Sequence, residues 1–200
     1  MAYTPVQYKA KDYGRLKGLH AITDEQIGEH LKLYNGYVTR TNAALVRLAE
    51  MANGGKHGDS GYQELKRRLG WEFDGMRLHE LYFDNLTPGG KGSPTPDNAL
   101  GAAITKAYGS TDAWKADFLG VAKMPGVGWA IATWDPTVGQ LMNVWIDRHD
   151  IGLLATCRPL LVLDLWEHAF SVYLTPTQRG QYLEDFFANV DWNVVETRLK

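Results

Sequence analysis

A chain of 200 residues with 44% hydrophobic side chains, 12% aromatic side chains and a net charge of −2 is long enough for one large domain or two modest ones without staples. The near-neutral charge excludes any general attraction to nucleic acid or to an anionic membrane surface. Cys157 is the only cysteine, which excludes an internal disulfide and a multi-cysteine metal site and fits a reducing, cytoplasmic compartment.

The opening stretch MAYTPVQYKAKDYG reads as an irregular polar arm with no apolar core of signal-peptide type, and no later stretch approaches a membrane span. Thr23-Asp24-Glu25-Gln26 has the form of a capping box. Beyond it Ile27, Leu31, Tyr34, Val38, Thr41, Leu45 and Leu48 recur at spacings of four and three, one face of a long helix. Asn53-Gly54-Gly55 ends that helix, and the polar connector 56–61 leads to a second helical region, expected to break or bend near Gly70. Its later part sets Met76, His79, Tyr82, Phe83 and Leu86 on one side. Two long helices with a short connector predict an antiparallel hairpin.

The segment TPGGKGSPTP (87–96) is the clearest break in composition, so a boundary is expected between residues 1–90 and 91–200. Two short helices follow, 97–108 and 111–123. Stretches 127–134 and 138–146 are then rich in branched and aromatic residues around a turn at Asp135-Pro136-Thr137, and 159–163 is a short apolar run of buried-strand type. The tail 176–198 returns to helix. The predicted class is α+β: a helical hairpin followed by a mixed domain with a small three-stranded antiparallel sheet.

Of six histidines, His57 falls in a polar connector and reads as exposed, and His20 reads as a turn or packing residue. His30 lies beside the apolar stripe of the first helix and by itself reads as a core histidine bonded to a neighbour. His79 faces inward on the second helix. The string His79-Glu80-Leu81-Tyr82-Phe83 opens like a zinc-protease motif but has Phe83 where a second histidine is required. In Leu161-Val162-Leu163-Asp164-Leu165-Trp166-Glu167-His168 an apolar strand delivers Asp164, and His168 follows four residues later. That pair suits a metal of iron, manganese or zinc type, and equally a buried Asp–His hydrogen bond with Asp164 as a helix cap.

The string DLWEHAF (164–170), with GVGWA (126–130), RGQYL (179–183), NVDW (189–192), ITDEQIGEH (22–30) and LHELYFDNL (78–86), resembles the iron/manganese superoxide dismutases over nearly the whole chain. The resemblance implies one iron or manganese ion per subunit, iron slightly favoured, held by His30, His79, Asp164 and His168. Superoxide is then the substrate, and neither nucleic acid nor membrane is a partner. It further implies that Tyr37 is the gateway tyrosine, although Tyr34 competes for that role. Trp129, Trp166 and Phe170 would wall a dry pocket, and Glu167 would reach His168 of a partner subunit in a homodimer or higher oligomer. Gly75 stands where iron enzymes often carry a glutamine, so His149, in the matching sheet loop, becomes the donor to solvent at the metal. Ser171 and Tyr34 replace the two ends of a contact usual at the family's dimer interface. Two alternatives are a relative with lost or altered catalysis and a zinc hydrolase using the same ligands.

Overall fold

A computed structural model describes residues 2–200. Helix α1 runs Asp24–Asn53 and α2 runs Ser60–Asp84, the expected antiparallel hairpin. Thr23 caps α1 by accepting from the Gln26 amide at 3.1 Å. The Gln26 side chain does not return to Thr23 as a capping box would. It donates to the His168 carbonyl at 2.7 Å and accepts from the Val172 amide at 2.9 Å, tying the start of α1 to the segment after the last strand.

Helix α2 passes through Gly70 without a break. A lone glycine lowers helix propensity without interrupting the hydrogen-bond ladder, and packing against α1 and the sheet outweighs it.

Helices α3 (Ala99–Tyr108) and α4 (Thr111–Ala122) precede strands β1 (Trp129–Asp135), β2 (Gln140–Ile146) and β3 (Arg158–Asp164). The sheet is antiparallel throughout, in the order β2-β1-β3. Both hairpin strands begin two residues later than their composition suggests. Gly128 (φ 128°) and Gly139 (φ 68°) hold positive φ, where strand geometry cannot start. The tail splits into α5 (Arg179–Ala188) and α6 (Trp192–Thr197). Between them Asn189 clamps the backbone of His20 through both amide atoms, and Val190 bridges to Leu86.

Buried apolar side chains from the hairpin, the sheet and α5 form one continuous cluster. Asn85, at the end of α2, donates to the Val162 carbonyl of β3 at 2.7 Å, and the half-buried Arg198 guanidinium reaches Asn85 and the carbonyls of Leu81 and Leu160. These contacts hold the C-terminal end of α2 against β3. They also bring the inner faces of the two long helices onto the end of that strand.

Candidate metal centre

Asp164 is the last residue of β3, paired across the sheet with Trp129, and its carbonyl accepts the Tyr182 hydroxyl at 2.8 Å. Its Oδ1 accepts the Trp166 amide at 2.9 Å, which turns Oδ2 inward. That single oxygen lies 3.0 Å from His30 Nε2, 3.1 Å from His168 Nε2 and 3.6 Å from His79 Nε2. One atom from each of the four residues falls within 4.8 Å of all the others. His30, His79 and Asp164 are fully buried, and the His168 side chain keeps 25% of its exposure.

Protonation follows from the partners. The Gly75 carbonyl can only accept, so His79 Nδ1, at 2.6 Å from it, carries the ring proton and Nε2 presents a lone pair. That Nε2 is buried with no hydrogen-bond partner. Burial drives His79 well below the ordinary histidine range and lowers His30 as well, so both are neutral. Burial alone would raise Asp164, but the charge and hydrogen bond of His168 and the hydrogen bond of His30 overcome it. The carboxyl is held well below the usual carboxylate range. A buried lone pair facing a buried carboxylate oxygen is repulsive unless a cation lies between them. The residues therefore fit a metal ion, and three nitrogens with one hard oxygen suit iron or manganese.

Aromatic rings surround the cluster. Tyr82 and Phe83 pack on His30 at 5.1 and 4.9 Å between centroids, Trp129 meets His79 edge-on at 5.2 Å, and Trp166 stacks parallel to His168 at 6.1 Å. Phe170, expected in this wall, instead packs on Tyr182 at 5.0 Å. A short 3-10 helix (Glu167–Ala169) stands between Trp166 and Phe170.

His149 is buried between Trp71 (4.4 Å) and Trp166 (5.4 Å). The Trp129 indole donates to its Nδ1 at 3.0 Å, and its Nε2 meets the Tyr37 hydroxyl at 2.8 Å. An indole N–H can only donate, so the neutral ring carries its proton on Nε2 and donates to Tyr37. Burial pushes His149 down to about 4 and Tyr37 up to about 12. Both ring nitrogens of His149 are thus committed, and the Tyr37 hydroxyl proton is the one left free. Tyr34 does not compete for this place. It is buried against Phe83 of α2, donating to Glu80 and accepting from the Lys11 amide.

Of the other histidines, His57 is exposed, and His20 is a turn residue whose backbone is held by Asn189. Trp71, and the tie of the Gln26 side chain to His168, escaped the sequence reading. Trp71 precedes His79 by eight residues, two helical turns on the same face, and that spacing was the available signal. Local sequence marks Gln26 only as a cap residue, and its side-chain partners lie more than 140 positions away.

Residues 96–198 match the family model described as iron/manganese superoxide dismutases, C-terminal domain. The chain is 37% identical over 195 residues to an iron superoxide dismutase of Aquifex pyrophilus, covering 95% of this chain and 90% of that one. It is 38% identical over 160 residues to a manganese superoxide dismutase of Haloferax volcanii, covering 80% and 77%. A superoxide dismutase of Aeropyrum pernix named for either metal is 33% identical over 172 residues, covering 86% and 79%. A family match over half the chain, relatives aligned over most of their length and a buried three-histidine, one-aspartate cluster agree: the chain belongs to the iron/manganese superoxide dismutases.

Proposed function

We infer that this chain dismutates superoxide on one iron or manganese ion per subunit, held by His30, His79, Asp164 and His168. The observation that carries the reading is the convergence of three imidazole nitrogens on Asp164 Oδ2, one of them a buried lone pair with no partner. When bound, a redox-active iron or manganese ion supplies the one-electron changes that turn two superoxide anions into dioxygen and hydrogen peroxide.

The protein's own groups handle orientation and protons. Gln26 holds the His168 backbone, Trp166 holds Asp164 Oδ1, and Gly75 fixes the His79 tautomer. Peroxide needs two protons. Tyr37 Oη keeps its proton through neutral pH, and His149, oriented by Trp129, stands behind it to restore that proton. Tyr37 and His149 are therefore the proton-handling pair, with His149 acting through the tyrosine. Trp129 and Trp166 exclude bulk water around them.

Residues 1–90 and 91–200 are two ligand-bearing units, joined by the 87–96 connection. We assign a homodimer: Glu167 is exposed beside the accessible edge of His168, near the exposed Val127 and Val172. The lone Cys157 supports a reducing, cytoplasmic setting. No helix among the described residues is long and apolar enough to cross a membrane.

The test is metal analysis together with superoxide consumption. His79→Ala and Asp164→Ala lose stoichiometric metal and dismutation together, since each removes one of four ligands. Full metal retention and activity in either variant would sink the assignment.

A further inference from the structure

Asp185, on α5, is a buried carboxylate that the metal centre does not use. It is 3% exposed, and both oxygens accept: Oδ2 from the Tyr173 hydroxyl at 3.1 Å, Oδ1 from the Gln181 amide at 2.8 Å. Both donors are neutral, and no lysine, arginine or histidine nitrogen among the described residues lies within 4.0 Å of it. The other tyrosine–carboxylate pairs differ. Tyr34 donates to Glu80, which Arg77 neutralises, and Tyr13 donates to Asp84, which Lys11 neutralises. Tyr108 meets Asp117, which is exposed. A buried carboxylate without a cation is costly, and an apolar side chain of the same volume would pack at less cost. Asp185 therefore calls for a reason beyond packing.

Its partner belongs to a group of phenols that begins at the metal ligands. The Tyr82 ring packs on His30 at 5.1 Å between centroids, and the Tyr82 and Tyr182 hydroxyls are 3.3 Å apart. Tyr182 stands three residues before Asp185, on the same face of α5. Burial, then the charges of Asp185 and Tyr82, pushes Tyr173 up; burial, then charges that include Tyr173, pushes Tyr182 up. The three hydroxyls thus lie within electrostatic reach of one another.

Other aromatic exits from the centre are opposed. Trp166 leads to Trp71 at 6.2 Å, but Arg68 and Arg148 lie over that ring at 5.4 and 5.2 Å, and cations resist removal of an electron. Tyr37 has Arg40 over its ring at 4.6 Å, and His149 donates to its hydroxyl and cannot accept its proton.

We propose that Tyr173 and Asp185 form a redox-active tyrosine site that carries oxidising equivalents away from the ligand histidines. This rests on the dismutase reading, which supplies the oxidant. Hydrogen peroxide, the product, takes one electron from reduced iron and splits into hydroxide and a hydroxyl radical. That radical takes one electron from the tyrosines and becomes a second hydroxide. The electron is lost finally from Tyr173, whose proton passes to Asp185 Oδ2, leaving a neutral tyrosyl radical beside a neutral carboxylic acid. A later superoxide returns the electron and leaves as dioxygen, while Asp185 returns the proton.

The experiment mixes protein loaded with ferrous iron and hydrogen peroxide, freezes the mixture within milliseconds and records its electron paramagnetic resonance. Oxidised residues are then mapped by mass spectrometry. The unaltered chain gives a tyrosyl signal. Tyr173→Phe and Asp185→Asn each lower it at least about 10-fold, the second because a hydrogen bond to a charged group contributes about that factor. In both variants oxidation of His30, His79 and His168 rises severalfold, while dismutation measured before peroxide is added stays unchanged. Tyr108→Phe alters none of these. An undiminished signal in Tyr173→Phe would overturn the site, and one in Asp185→Asn would overturn the proton acceptor. Should the unaltered chain fail to consume superoxide, the dismutase reading falls. A photo-excited ruthenium oxidant then judges the tyrosine site on the same protein: a tyrosyl signal lost in Tyr173→Phe upholds it, and one that persists overturns it.

Discussion

Gly75 decides how close α1 and α2 can come at the metal centre. A Cβ at this position would lie 2.6 Å from Tyr37 Cδ1, 2.7 Å from Cε1 and 3.1 Å from Cγ. Carbon–carbon contacts are comfortable only from about 3.5 Å, so the ring would have to retreat by roughly 0.8 Å. It has nowhere easy to go, since its hydroxyl is bonded to His149, Arg40 covers one side and His79 packs at 5.2 Å. Overpacking of this kind costs about 1–3 kcal/mol. Gly75→Ala also gains about 1 kcal/mol of helix propensity, which blurs a single measurement. Gly70→Ala is the matched control: it lies in the same helix, and its new Cβ would meet only Asp150 Cβ at an ordinary 3.5 Å. The difference between the two variants cancels the propensity and isolates the clash at about 1–3 kcal/mol, with Gly75→Ala the less stable. Urea unfolding of the metal-free protein measures it, and a Tyr37→Ala background should erase the gap. Equal stabilisation by both alanines would refute the steric argument. The same contact explains why no donor to the metal site can be supplied from position 75 of α2.

Three further outcomes are expected. His149→Ala retains stoichiometric metal but loses activity by about 10- to 100-fold, and His149→Gln recovers part of it, because an amide can also hold Tyr37; unchanged turnover of the alanine variant between about pH 6 and 9 would show that another group restores the proton. Asp74 is pushed up to about 6 by burial and by neighbouring Asp150. Between its ordinary value and about 6 the unfolded chain sheds this proton before the folded one, so stability falls as pH rises through that window. Asp74→Asn should therefore raise Tm at pH 7 and not at pH 4, and an equal gain at both would contradict the assignment. Sedimentation at micromolar concentration should show a dimer that Glu167→Ala weakens; a fully active monomer of the unaltered chain would exclude Glu167 as a cross-subunit partner of His168.

Local patterning by itself determined the α+β class, the hairpin, the three strands and the histidine-bearing faces. Those features follow from apolar periodicity and from glycine and proline punctuation, which act over a few residues. The proposed ligand set was legible because Asp164 and His168 share one short motif and because five further segments resemble one family in order. Single residues alone left His30 open between core and ligand; the fold places it 3.0 Å from an aspartate 134 positions away, beside His79 and His168, an arrangement that the sequence around His30 does not encode. Tertiary structure also decided that Tyr37 and not Tyr34 reaches His149, that Phe170 leaves the wall, that Gln26 serves His168 and not its own helix cap, and that α2 continues through Gly70. Each of these turns on a contact between distant segments. A side chain's partner there is set by where helix and strand ends meet in space, and local sequence does not encode that meeting.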